Sequence, residues 1–256
     1  MTLHEEHLDH VAVLTIDRPK SMNAINPELA TALGEAWARL AEDDDVWVIV
    51  LTATGDRAFC AGADLKAPPP TGTFAGTFLG APQRPASVPV GYLKPVVCGV
   101  NGLAYGGGLE LMLSTDIPIA ADTAMFALPE AKIGSIPGGG GTQRIGKAIP
   151  RAVARRMALT GEAIDARTAL SLGLVTELVP VGQVRDRSVE VAQQICANAP
   201  LAVRAIKKGL DAADEMTLSD GLDHEQLLWG ALRDSEDRLE GRAAFADKRS
   251  PIYRAR

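Results

Sequence analysis

Six consecutive residues, Val46-Trp47-Val48-Ile49-Val50-Leu51, are apolar with no polar alternation. A strand with one face in water alternates, whereas an unbroken apolar strand needs cover on both faces, the situation of a sheet sandwiched in an α/β fold. Val11-Ala12-Val13-Leu14-Thr15-Ile16 and Val96-Val97-Cys98-Gly99-Val100 read the same way. Between the first two strands lies a helix signature: Asn26 as N-cap, Pro27 at the first helical position, and Leu29, Leu33, Ala36, Trp37 and Leu40 at helical spacing before Asp43-Asp44-Asp45. Strand, helix and strand in that order make an α/β crossover.

The pattern continues with a helix over 109–113 and a strand over 117–120, then turns mostly helical beyond Gly134. Helices are expected over 151–159, 165–172, 184–197, 201–213 and 218–232, with one short strand over 175–179. We therefore expect an α/β core over 1–190 and a helical region over 191–256. A chain of 256 residues is compatible with one large domain plus an appendage, given roughly 150 residues per domain. Residues 67–89 carry six prolines, with glycines at 72, 76 and 80, and read as a loop.

The balance of 26 Lys+Arg against 32 Asp+Glu gives a net charge of -6, which removes the broad attraction that nucleic acids and anionic membranes exert on basic proteins. Neither is expected as a partner. The first ten residues carry Glu5, Glu6 and Asp9 where a signal peptide needs basic and then apolar residues, and no run reaches the ~18 apolar residues of a membrane span, so a cytoplasmic location is expected. Cys60, Cys98 and Cys196 have neither metal nor redox spacing and read as buried thiols. His4, His7 and His10 read as solvated loop or strand residues, and no metal is expected.

Several familiar motifs fail. The segment from Gly141 to Ala148 has the glycine and lysine spacing of a phosphate loop, but Ala148 stands where a Ser or Thr is required and no strand precedes it. Gly106, Gly107 and Gly108 are not a dinucleotide fingerprint, because Leu111 occupies its last glycine position. The GxSxG nucleophile elbow is absent. Acid–base chemistry then falls to carboxylates, and two stand in apolar surroundings: Glu110, directly after the glycines and Leu109, and Glu130, after Phe126-Ala127-Leu128-Pro129. Local sequence leaves two roles open for each, a helix cap or ion pair on one side and proton transfer on the other. Burial would raise a glutamate pKa, while a helix N-terminus near Glu110 favours its anion. The glycine cluster is equally two-sided: it permits tight helix packing, and it lets a carbonyl oxygen approach unpaired N–H groups at a helix start.

Three segments together carry a family resemblance. They are Cys60-Ala61-Gly62-Ala63-Asp64-Leu65-Lys66, the stretch from Asn101 to Leu111, and Phe126-Ala127-Leu128-Pro129-Glu130-Ala131-Lys132-Ile133-Gly134. In order and spacing they resemble the central motifs of the crotonase family, the enoyl-CoA hydratase/isomerase superfamily. Arg18-Pro19 with Asn23-Ala24, Thr160-Gly161 with Gly173-Leu174-Val175, and Glu240-Gly241 with Phe245-Ala246-Asp247-Lys248-Arg249 extend the likeness over nearly the whole chain.

The resemblance implies a right-handed spiral of ββα units, with a C-terminal helical region that builds homotrimers, commonly stacked as homohexamers. It implies an acyl-CoA thioester bound with its carbonyl oxygen between the N–H groups of Ala63 and Gly107, and no cofactor beyond the coenzyme A carried by the substrate. The intact pair Glu110 and Glu130 is the hydratase arrangement, for a reversible syn-type addition of water to a 2-enoyl-CoA that gives a 3-hydroxyacyl-CoA. Glu110 would act on the water and Glu130 on the α-proton. Isomerases of the family often need only the Glu130 position, and the carnitinyl-CoA dehydratase branch also has two glutamates with a Phe-Ala-Leu-Pro-Glu segment. A crotonase-fold protein without catalysis is the reading from a different class, and retention of both glutamates opposes it. Arg18, Ala24, Ala63, Asp64, Leu65, Lys66 and Gly107 would bind substrate, with Lys20 near the nucleotide and Lys248 on its 3′-phosphate, the last from a neighbouring subunit or its own. The 67–89 loop, with Phe74, Phe78 and Leu79, would border the acyl chain.

Overall fold

The computed structural model describes residues 2–67 and 86–256. The chain opens with β1 (Leu3–Leu8) antiparallel to β2 (Val11–Ile16), and β1 lies at the edge of a six-stranded sheet. Its exposed Glu5, Glu6 and His7 blunt an edge that would otherwise invite another strand. Helix α1 (Pro27–Glu42) follows, with the Asn26 side chain accepting the Leu29 N–H as the sequence implies. Its buried residues are Leu29, Leu33, Ala36, Trp37 and Leu40, the stripe read from periodicity.

From here the chain shuttles between two sheets. β3 (Val48–Ala53), β5 (Val96–Val100) and β7 (Ile117–Ala121) join the first sheet in parallel, while β4 (Ala58–Cys60), β6 (Leu103–Tyr105) and β8 (Met125–Ala127) form a second parallel sheet. Helix α2 (Gly107–Met112) closes the middle coil. Each coil contributes one strand to each sheet, which is a spiral rather than a doubly wound sheet. Because β4, β6 and β8 lie side by side and point the same way, their C-terminal ends deliver the three motif segments to one place.

α3 (Gly141–Ala148), α4 (Arg151–Thr160), β9 (Ile164–Asp165), α5 (Ala166–Ser171) and β10 (Glu177–Val179) complete the core. β9 extends the second sheet antiparallel to β8, and β10 closes the first sheet beside β7. α6 (Val184–Cys196) packs on β3 and β5 and runs through positions 190 and 191, so the chain leaves the sheet layer only after Cys196. α7 (Pro200–Ala213), α8 (Leu218–Leu232) and α9 (Glu236–Asp247) form the helical end.

Sequence reading started the third strand too early. Val46 and Trp47 are buried but lie outside the ladder; the N–H groups of Trp47 and Val48 bond to His10 O, and the Trp47 ring stacks on His10 at 3.7 Å. Burial without alternation identifies a covered segment, not where its ladder begins. Among the described residues no helix is long and apolar enough to cross a membrane.

Candidate active site

The early loop is fastened by Asn23. Its backbone is left-handed (φ 55°), and its amide accepts the Arg18 N–H at 2.9 Å while donating to Thr54 O and Ala58 O at 3.0 and 2.7 Å. Arg18 donates to Ala24 O and pairs with Asp64 at 3.0 Å. Hydrogen bonding to the Arg18 guanidinium holds the Asp64 carboxyl below the usual range. Arg18, expected near a nucleotide, is thus engaged inside the protein, where it ties loop 18–24 to segment 62–66. Ala24 is buried, whereas Leu65 and Lys66 are exposed.

That tie orients a donor. Ile25 N–H bonds to Gly62 O at 2.8 Å and Asp64 N–H to Ile25 O at 2.9 Å. In a parallel bridge alternate residues face opposite sides, so the Ala63 N–H between these two bonds points away from Ile25, and none of the described residues accepts it. It faces the start of α2: a Cβ built on Gly107 would lie 3.6 Å from the Ala63 nitrogen. Gly107 is the first residue of α2, where a backbone N–H has no intrahelical acceptor.

Two of the three glycines have a steric reason of their own. Gly106 has φ 53° with ψ -124°, a conformation reserved for glycine, and a Cβ there would sit 3.0 Å from Glu130 Oε1. At Gly108 a Cβ would lie 2.0 Å from Cys60 O, so the helix start is pressed against β4 backbone to backbone. The packing reading of the cluster is met at Gly108, and the same close approach sets Gly107 near the Ala63 nitrogen.

Glu110 projects from α2 and is 5% exposed. Its Oε1 accepts the Gly141 N–H at 2.8 Å, one of the N–H groups at the start of α3 that has no intrahelical acceptor. Glu130 opens the 3-10 turn Glu130–Ile133, and its Oε2 is buried with no hydrogen-bond partner among the described residues. Burial raises its pKa, the Glu110 charge adds to the rise, and the Glu130 backbone opposes it. One carboxylate is therefore anchored by a donor while the other is kept short of donors, an asymmetry suited to divided acid and base duties.

Sequence reading missed the run Gly138-Gly139-Gly140-Gly141. A Cβ at Gly139 would lie 2.8 Å from Glu110 Oε2, and one at Gly141 3.0 Å from Oε1, so the run is the wall that receives Glu110. The signal was present as four successive glycines, but a phosphate-loop comparison was the wrong question. Lys248 caps α9 in the left-handed region, exposed, and no hydrogen bond or ion pair among the described residues links it to segment 62–66. Phe74, Phe78 and Leu79, with the rest of 68–85 in the 67–89 loop, lie outside the described residues. Among the described residues no group of three or more His, Cys, Asp or Glu gathers as a metal site. Burial pushes the Cys60 thiol up to about 12, which removes a thiolate nucleophile beneath the glycines.

The model of the enoyl-CoA hydratase/isomerase family matches residues 6–256. The chain belongs to the enoyl-CoA hydratase/isomerase family. Within it, the chain is 44% identical to (E)-benzylidenesuccinyl-CoA hydratase of Thauera aromatica, covering 96% of both, and 38% identical to carnitinyl-CoA dehydratase of Proteus mirabilis, covering 100% of this chain and 99% of that one. An enoyl-CoA hydratase crystal structure from Bacillus anthracis superimposes with TM-score 0.92 at 33% identity, covering 100% of both chains. The spiral core with its helical end is thus the family's crotonase fold.

Proposed function

We propose that the protein is an enoyl-CoA hydratase, a hydro-lyase that reversibly adds water to a 2-enoyl-CoA to give a 3-hydroxyacyl-CoA. The observation that carries this reading is the pair of unlike carboxylates at the start of α2, where the Ala63 nitrogen lies close to Gly107. The thioester oxygen accepts from Ala63 and Gly107, which stabilises the enolate; one such donor is typically worth ~3 to 4 kcal/mol in the transition state. Glu110, anchored by the Gly141 N–H, takes a proton from water as the oxygen bonds to the β-carbon. The π electrons move to the α-carbon through the enolate, and Glu130, whose raised pKa favours the acid, delivers a proton there. The product gains one water, and exchange with solvent returns the carboxyls to their starting states.

In this reading the substrate itself brings coenzyme A, with no cofactor and no metal. Leu65, Lys66 and the Ala63–Lys66 backbone border it, Lys20 lies near the nucleotide, and Arg18, Ala24 and Asp64 shape its loop. Lys248 reaches the 3′-phosphate from a neighbouring copy. A homotrimer or homohexamer is supported by the exposed Leu218, Leu222, Leu227, Trp229 and Phe245 on α8 and α9, a surface too apolar to stay in water. The division of labour is an α/β core and a C-terminal helical region that assembles copies. The location is cytoplasmic.

The test is hydration of a panel of 2-enoyl-CoAs, with (E)-benzylidenesuccinyl-CoA and crotonobetainyl-CoA included because relatives are named for those acyl groups or their hydrated partners. Hydration of at least one, lost in Glu110→Gln and Glu130→Gln, is expected. No hydration across the panel, or full activity in either variant, would overturn the assignment.

A further inference from the structure

The wall that receives Glu110 is itself held from behind. Arg144, one turn into α3, folds back over the helix start: its Nη1 donates to Gly139 O at 3.2 Å, and its guanidinium occupies the space beside Gly140, where a Cβ would fall 2.1 Å from Nη1. Gly140 is left-handed at φ 114°, so the turn uses a conformation that only glycine readily supplies. A cation at this end of a helix has the wrong sign for the dipole, which disfavours the position. Among the guanidinium's contacts is the Gly139 carbonyl, within the same turn whose Gly141 N–H binds Glu110.

We propose that Arg144 is a positioning residue for Glu110, acting through the Gly139–Gly141 turn and not on Glu130. Glu130 stands on a separate support: Ser135 N–H bonds to Glu130 O at 3.0 Å, and Lys132 Nζ anchors the 3-10 turn to Gly161 O at 2.8 Å. Loosening the α3 turn therefore displaces the carboxylate that activates water while leaving the one that handles the α-proton. The inference rests on the hydratase reading above, and it separates two reactions that share one enolate. Water addition needs both glutamates, whereas exchange of the α-protons of a saturated acyl-CoA with solvent deuterium needs the N–H pair and Glu130 alone.

The experiment compares the parent enzyme with Arg144→Met and Arg144→Lys, by steady-state hydration of crotonyl-CoA, or of whichever panel member the parent hydrates, and by proton NMR of butyryl-CoA exchange in D2O. For Arg144→Met the expected result is a roughly 10- to 100-fold fall in hydration kcat, the scale of a misplacement near 1 Å, with KM and the exchange rate within about threefold of the parent. Arg144→Lys, which keeps the charge and one donor, should fall between the two; if Arg144→Met does not fold, the hydration-against-exchange split in Arg144→Lys decides. Hydration and exchange falling together, or hydration unchanged, would overturn the proposal. A parent that hydrates nothing would instead overturn the functional assignment.

Discussion

Adding one methyl group at Gly108 tests how the site is built. A Cβ there would lie 2.0 Å from Cys60 O, 2.7 Å from its carbonyl carbon and 2.8 Å from its Cβ. The closest ordinary carbon–oxygen approach is about 3.3 Å, so the two backbones must separate by roughly 1.3 Å. No side chain can swing aside, because the obstructing oxygen belongs to the fully buried strand β4. The start of α2 has to retreat, and the Gly107 N–H retreats with it from that of Ala63. Overpacking of this kind costs about 1 to 3 kcal/mol of stability, and loss of one oxyanion donor costs roughly 10²- to 10³-fold in kcat. We expect Gly108→Ala to lower the thermal midpoint and to reduce hydration and α-proton exchange in parallel, since both pass through the same enolate. Steady-state kinetics, deuterium exchange and a melting curve on the same preparation measure all three. Parent-like kcat in a folded variant would refute the claim that helix-to-strand contact sets the donor pair.

Three further outcomes follow from named contacts. Glu130→Gln should abolish turnover far more than thioester affinity, and it should also stabilise the protein in a pH-dependent way. A carboxyl whose folded pKa is raised imposes no penalty below its unfolded pKa and the full penalty above its folded one, so the gain in melting temperature should be absent in acid and grow towards neutral pH; a gain largest in acid would contradict it. Lys94→Met should destabilise the fold by about 1 to 3 kcal/mol by urea titration, because the buried ammonium donates to Leu40 O and Asp43 O at the end of α1 and the substitution leaves both carbonyls without it; an unchanged midpoint would show that water replaces it. Sedimentation should give a trimer or hexamer at micromolar concentration, and Leu227→Glu with Trp229→Glu should shift it towards smaller species; a parent that sediments as a stable monomer would refute assembly through α8.

Two kinds of information were legible in the residue order. Local signals determined the elements: the cap Asn26-Pro27 with its five-residue apolar stripe fixes α1, and unbroken apolar runs mark β2 and β5, because propensity, capping and burial pattern are properties of neighbouring residues. Motif order carried the resemblance to the family, and that resemblance pointed to Ala63 and Gly107, whereas Glu110 and Glu130 stood out by themselves as carboxylates in apolar surroundings. What the order did not contain is which distant backbone groups meet. That Arg18 closes on Asp64 instead of reaching outward depends on a bridge between Ile25 and Ala63, 38 residues apart. That the glycines at 138–141 receive Glu110, with Arg144 behind them, depends on α3 docking against α2. The asymmetry of the two glutamates follows from the same docking: their local sequences are equally apolar, yet one meets the open end of a helix and the other does not. Hydrogen-bond partners and burial are set by packing between segments, so the tertiary structure alone decided which carboxylate is anchored by a backbone N–H and which has a buried oxygen without a partner among the described residues.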